Sequence, residues 1–168
     1  GYNPDLYTSE RVWITARDGK KVPVSILNSK IHKDKQPMLI YAYGSYGNSM
    51  TPWFSQTTFS LIDRGFIFSF VYIRGGSELG RVWYEHGRTD KKLNTFYDFI
   101  DVTEFFSRQS NVDAKNIFAM GGSAGGLLMG AITNLRPDLY QGIVAQVPFV
   151  DVLTTMLDDS IPLTTGEY

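Results

Sequence analysis

The run Gly121-Gly122-Ser123-Ala124-Gly125 sets one hydroxyl among small residues, a pattern that suits a nucleophilic serine. Such a serine sits on a sharp, strained turn between a strand and a helix, with its Oγ presented outward. Side chains two residues to either side would collide with each other or with a neighbouring strand, and glycine at 121 and 125 removes them. The Ala124 N–H would open the following helix, where it can donate to a developing oxyanion. One such donor typically stabilises the transition state by on the order of 3 kcal/mol. A second donor is expected from the loop after an earlier strand. The run Tyr41-Ala42-Tyr43-Gly44-Ser45-Tyr46-Gly47 fits that place and offers tyrosine hydroxyls as well as backbone N–H groups. The chemistry this set suits is acyl transfer through Ser123. A phosphate-binding loop is disfavoured, because no Gly-Lys-Ser/Thr ending is present and no G-x-G opens the turn.

The elements that must position these groups can be read from the hydrophobic pattern. Ile117-Phe118-Ala119-Met120 reads as the strand before Ser123, and residues 124–135 as the helix after it. Residues 11–16 and 22–27 form a hairpin around an Asp18-Gly19 turn, and Pro23 argues for an edge position in the second strand. Residues 37–43 and 66–73 are apolar strands, the latter of the type buried on both faces of a parallel sheet. Residues 55–64 read as a helix stopped by Gly65, and residues 74–92 as a long loop. Residues 94–107 form an amphipathic helix with Phe96, Phe99, Ile100, Phe105 and Phe106 on its apolar side and Asp98, Asp101 and Glu104 as polar positions. Residues 142–147 are a strand and residues 150–157 a helix. Strands alternating with helices after a leading hairpin give an α/β fold with a mostly parallel sheet, whose chemistry gathers beyond the strand C-termini.

Composition narrows the classes. A length of 168 residues suits one domain, and 43% hydrophobic content is enough to bury a core. A net charge of -1 carries no basic excess, so no nucleic-acid partner is expected. The absence of cysteine excludes disulfides, thiolate zinc and a cysteine nucleophile. It permits a reducing compartment, and a cytoplasmic location is expected. The longest apolar stretch, residues 65–73, is too short to cross a bilayer, so no membrane partner is expected. No metal-ligand cluster and no cofactor motif appears, and neither a metal nor a cofactor is expected.

Three segments together resemble the prolyl oligopeptidase family of serine peptidases: Tyr41-Ala42-Tyr43-Gly44-Ser45-Tyr46, Arg74-Gly75-Gly76-Ser77-Glu78-Leu79-Gly80, and Gly121-Gly122-Ser123-Ala124-Gly125-Gly126-Leu127-Leu128. Asn94-Thr95-Phe96-Tyr97-Asp98-Phe99-Ile100, Val147-Pro148-Phe149-Val150-Asp151-Val152 and, most strongly, Ser160-Ile161-Pro162-Leu163-Thr164-Thr165-Gly166-Glu167-Tyr168 are closer to its oligopeptidase B branch. The resemblance runs from about Tyr7 to the last residue. It implies an α/β-hydrolase fold, with residues 1–168 forming the N-terminal part of a catalytic domain that is incomplete at its C-terminus and lacks the family's β-propeller. It implies Ser123 as the acylated nucleophile, with the Tyr43 hydroxyl and the Ala124 N–H as the oxyanion hole. It places Tyr46 and Phe149 along the pocket for the residue before the scissile bond, Glu167 as a carboxylate favouring Arg or Lys there, and Tyr168 at that pocket's border. The implied partners are short peptides cleaved after Arg or Lys.

The resemblance also implies that the catalytic Asp and His follow Tyr168, since His32 and His86 both precede Ser123. Asp151 suits a helix cap or a loop better than a catalytic acid. A serine with no adjacent base is a weak nucleophile, so the 168 residues alone are expected to turn over little substrate. The missing part of the sheet leaves an edge open to self-association. Two further readings stay open at this point: another enzyme on the same fold, such as an esterase or an acylaminoacyl- or dipeptidyl-peptidase relative, and a fragment without catalysis.

Overall fold

The computed structural model describes residues 2–161 and 165–168. Pro162, Leu163 and Thr164, within the segment closest to oligopeptidase B, lie outside the described residues. Six strands form one sheet: β1 (Tyr7–Thr15), β2 (Lys21–Ser29), β3 (Gln36–Tyr41), β4 (Ile67–Val71), β5 (Val112–Gly122) and β6 (Gly142–Gln146). Their order is β1-β2-β4-β3-β5-β6. The β1–β2 and β2–β4 pairs are antiparallel, and β4, β3, β5 and β6 run parallel. This is the expected α/β architecture, a leading hairpin fused to a parallel sheet.

Period-2 alternation divides the strand side chains between two faces. Met38 and Ile40 of β3 join Ile67, Val71 and Ile117 on one face. That face is covered by α3 (Leu93–Ser107) and α4 (Ala124–Leu135), through Phe96, Phe99, Val102, Leu128 and Ile132. Leu39, Phe68, Phe70 and Tyr72 point to the other face, where Ile62 of α1 (Gln56–Ile62) packs. Ser55 caps α1, its hydroxyl accepting the Thr58 N–H at 3.3 Å. Residue 19 of the hairpin turn has φ 82°, which its glycine adopts without strain.

Two expectations are corrected. Pro23 does not mark an edge strand: β2 lies between β1 and β4 and is buried at that point. The Pro23 carbonyl accepts the Tyr72 N–H at 3.0 Å, just past the last β2–β4 pair. The N–H that proline lacks therefore falls where the ladder ends. Residues 74–92 are not a plain loop either. They contain α2 (Arg81–Glu85) and a 3-10 turn at Thr89–Lys91. Five residues are too few to show a helical period, and α2 is fixed by tertiary contact instead. Trp83 is buried and its indole N–H donates to the Tyr72 carbonyl at 3.1 Å. The short α5 (Val152–Met156) ends the helical elements among the described residues, and none of their helices is long and apolar enough to cross a membrane.

Candidate active site

β5 ends at Gly122 and α4 begins at Ala124, which leaves Ser123 alone on the turn between them. Its backbone has φ 54° and ψ -115°, a conformation that costs a non-glycine residue on the order of 1–3 kcal/mol. The surroundings hold it there. The Ser123 N–H donates to the Gln146 carbonyl at 2.9 Å, and the Ser123 carbonyl accepts N–H groups from Gly126 at 2.8 Å and Phe149 at 3.0 Å. A Cβ on Gly121 would strike the Gly125 carbonyl, and one on Gly125 would lie 2.9 Å from the Ala42 carbonyl. The Ser123 side chain is exposed while Ala124 to Gly126 behind it are buried. As the first residue of α4, Ala124 has no intrahelical acceptor for its N–H, which stands at the positive end of the helix dipole.

Tyr43 follows β3 and is half-buried, with its phenol close enough to the Ser123 side chain for that side chain to act on its titration. Burial, with Tyr46 nearby, raises the Tyr43 pKa, and the Ser123 side chain opposes this only in part, so the phenol stays a proton donor. Ser123, Tyr43 and Ala124 are thus brought to one place.

The loop beyond Tyr43 turns back on itself. Gly44 has φ 71° and Tyr46 φ 61°. The Gly47 N–H donates to the Gly75 carbonyl at 2.9 Å, and a Cβ on Gly75 would overlap the Gly44 carbonyl, so the two glycine-bearing loops need their close approach. Tyr46, Phe149 and Tyr168 gather beside this loop. The Tyr168 ring lies 5.3 Å from Phe149 and 6.1 Å, edge-on, from Tyr46. Glu167 is 2% exposed. Its Oε1 accepts the Tyr46 N–H at 2.6 Å and its Oε2 accepts the Tyr84 hydroxyl at 2.7 Å. A carboxylate has about four acceptor positions, so these two bonds leave capacity for another donor. Tyr46, Phe149, Glu167 and Tyr168 are neighbours in the structure, with the Glu167 carboxylate buried rather than at an open surface.

Sequence reasoning missed several neighbours of this site. Lys92 donates to the Gly44 carbonyl at 2.8 Å and to Ser45 Oγ at 2.6 Å. Burial lowers its pKa to about 8, against the pull of the Glu167 charge. Arg88 donates to the Tyr84 hydroxyl at 3.1 Å, so a second cation stands behind Glu167. These residues lie in the polar stretch before α3, where no periodicity singles one cation out. Asp98 is a further surprise: it is fully buried, and it accepts from Arg74 Nε at 2.8 Å.

Among the described residues, neither histidine is hydrogen-bonded to Ser123. The His32 ring meets the Asp63 carbonyl at 3.3 Å beside Gly65, just before β4 begins and so at the end of the parallel strands opposite the site. His86 caps the end of α2. Asp151 caps α5, its Oδ1 accepting the Thr154 N–H at 3.1 Å.

A family model described as the prolyl oligopeptidase family matches residues 52–168. Dipeptidyl aminopeptidase BI of Pseudoxanthomonas mexicana is 55% identical over 100% of this chain and 24% of its own length. Protease 2 of Moraxella lacunata is 44% identical over 99% of this chain and 24% of its own length. Among solved structures, oligopeptidase B from Leishmania major superposes with a TM-score of 0.93 at 50% identity, over 99% of this chain and 23% of that one. Oligopeptidase B from Trypanosoma brucei, solved in a closed form with covalently bound antipain, gives 0.93 at 44% identity over 99% of this chain and 24% of that one. The chain spans about a quarter of the length of the curated relatives it matches.

Proposed function

The chain belongs to the prolyl oligopeptidase family of serine peptidases, close to oligopeptidase B, and on that premise we propose that it carries the nucleophile and oxyanion hole of an endopeptidase cleaving short peptides after Arg or Lys. The observation that carries the reading is the strained, exposed Ser123 facing the Tyr43 hydroxyl and followed by the Ala124 N–H. A base takes the Ser123 Oγ proton as the oxygen attacks the substrate carbonyl carbon. The carbonyl electron pair moves to oxygen, and Tyr43 and Ala124 donate to that charge. Collapse expels the amine, which takes the proton back from the base, and water then hydrolyses the acyl ester on Ser123. We assign the base to a histidine other than His32 and His86, because His32 is engaged at the opposite end of the sheet and, among the described residues, neither is hydrogen-bonded to Ser123. By themselves the 168 residues are therefore expected to acylate slowly.

The preference for Arg or Lys rests on Glu167 with Tyr46, Phe149 and Tyr168. The carboxylate can pair with a guanidinium or ammonium, and the rings can pack on its flat face or aliphatic stem. In the full-length natural protein, Ser123→Ala should lower turnover roughly 10³- to 10⁶-fold and abolish fluorophosphonate labelling. Reporter peptides ending in Arg should be cleaved in preference to those ending in Pro, and a Pro preference would sink the specificity claim.

A second reading has its own support. The relative named dipeptidyl aminopeptidase is 55% identical across the whole chain, which favours release of dipeptides from free N-termini. Matched reporters with free and blocked N-termini decide between the two: cleavage of the free form alone selects the dipeptidyl aminopeptidase reading.

A further inference from the structure

We propose that Lys92 is a positioning residue for the reaction at Ser123, clamping the loop that carries Tyr43 so that its hydroxyl stays over the nascent oxyanion. This rests on the oxyanion role of Tyr43 proposed above. The ammonium has three N–H donors, and two of them end on the residues directly after Tyr43, the Gly44 carbonyl and the Ser45 hydroxyl. Its base is fixed: Lys92 immediately precedes α3, and Thr95 one turn on donates to the Arg74 carbonyl at 2.9 Å. The loop is pressed onto the same support, since a Cβ on Gly44 would lie 2.7 Å from the Thr95 side chain. Pulling the Gly44 carbonyl toward α3 sets the orientation of the Gly44–Ser45 peptide, and so fixes the backbone on which the adjoining Tyr43 phenol is carried.

The opposite end of the loop is held in the opposite sense, by the Glu167 carboxylate on the Tyr46 N–H. Lys92 also lies 5.2 Å from the centre of the Tyr168 ring. Oxyanion loop and pocket therefore share one buried electrostatic support. Taking an ammonium out of water is costly, and a half-buried lysine with both of its hydrogen bonds directed to a single loop is better accounted for by that loop's position than by stability. Of the charged and titratable groups near it, Glu167 acts on it by charge and the Tyr168 ring lies beside it, while Tyr46 and Tyr84 are joined to Glu167 by hydrogen bonds and Arg88 to Tyr84.

The test is a double-mutant cycle in the full-length natural protein with an Arg ester reporter. Lys92→Met should lower kcat about tenfold or more while KM moves less than about threefold. In a Tyr43→Phe background the same substitution should cost less than about twofold, because the hydroxyl it positions is gone. Equal losses in both backgrounds, or a loss carried by KM, would overturn the proposal. If Tyr43→Phe alone changes nothing, the oxyanion reading fails instead, so the two failures are distinguishable. Lys92→Arg keeps a cation and guards against a folding defect in Lys92→Met. It should retain most of the kcat and lack the decline in kcat expected of the wild type as pH rises through about 8, where the lysine gives up its proton. A decline that persists unchanged in Lys92→Arg would also overturn the assignment.

Discussion

Two buried charge sites flank the loop that carries Tyr43, and they are wired differently. At one, Arg74 and Asp98 bind each other. Their side chains are 3% and 0% exposed, Arg74 Nε and the Arg74 backbone N–H both donate to Asp98, and Arg74 also donates to Asp18 at 2.6 Å. Burial alone would lower the Arg74 pKa, but the hydrogen bonds to Asp98 and Asp18 outweigh it and hold it above its ordinary value. At the other, the Glu167 charge acts on Lys92, yet the two are not hydrogen-bonded to each other: Lys92 donates to the loop at Gly44 and Ser45, and Glu167 accepts from the loop at Tyr46 and from Tyr84 of α2. The first site is closed and ties the hairpin turn to α3. The second leaves donor and acceptor capacity beside the nucleophile. Buried charge alone therefore does not mark a functional group; where its hydrogen bonds end does.

The largest effect that would test this contrast is on stability. Asp98→Ala leaves the Arg74 guanidinium buried with only Asp18 as a charged partner, and breaking such a pair typically costs about 3–5 kcal/mol. Urea unfolding should show that loss. A cost below about 1 kcal/mol would mean that water or Asp18 satisfies Arg74 unaided, and the closed description would fail.

A smaller effect, on selectivity, is expected at the open site. Glu167→Gln keeps the shape and the acceptor for the Tyr46 N–H but removes the charge. The ratio of kcat/KM for Arg over neutral reporters should fall roughly 10- to 100-fold, the range for losing a hydrogen bond to a charged group. Unfolding should change less than for Asp98→Ala. An unchanged Arg preference would place Glu167 with the structural carboxylates and move the specificity elsewhere.

The same contrast explains what could be read in advance. The Ser123 turn was legible because glycine at 121 and 125 is a local requirement, imposed by the Gly125 and Ala42 carbonyls. The parallel character of the sheet after the hairpin followed from strands alternating with helices and from apolar runs such as β4, whose five residues are all buried. Asp98 was misread as a polar-face residue of α3. Its helical neighbours Thr95 and Val102, three before and four after, are both buried, which was the available signal. Phe105, assigned to the apolar side, is 41% exposed near the helix end. Lys92 and Tyr84 could not be singled out, because their roles come from contacts with Ser45 and Glu167, 47 and 83 positions away in the chain.

Glu78 supplies the smallest and finest test, since its wiring lies between the two types. Its Oε1 accepts the Met50 N–H at 2.9 Å, while its Oε2 is buried with no hydrogen-bond partner. Burial lifts the Glu78 carboxyl above the usual carboxylate range, and the Met50 N–H and the Arg11 charge pull it only part of the way back. A folded-state pKa above the unfolded value means that the native state holds the proton more tightly. Stability from this group is thus full at acid pH and declines as pH rises from the ordinary value of 4.5 through the raised one. Glu78→Gln removes the decline. It should match the wild type in thermal unfolding near pH 4 and exceed it at pH 7, by up to about 1 kcal/mol. A variant less stable than the wild type at pH 7 would show that the ionised carboxylate is compensated, with Arg11 as the cation already within its field. Glu78 would then belong with Asp98 as a closed pair, and an orphaned oxygen in this loop would no longer count as a sign of unmet capacity.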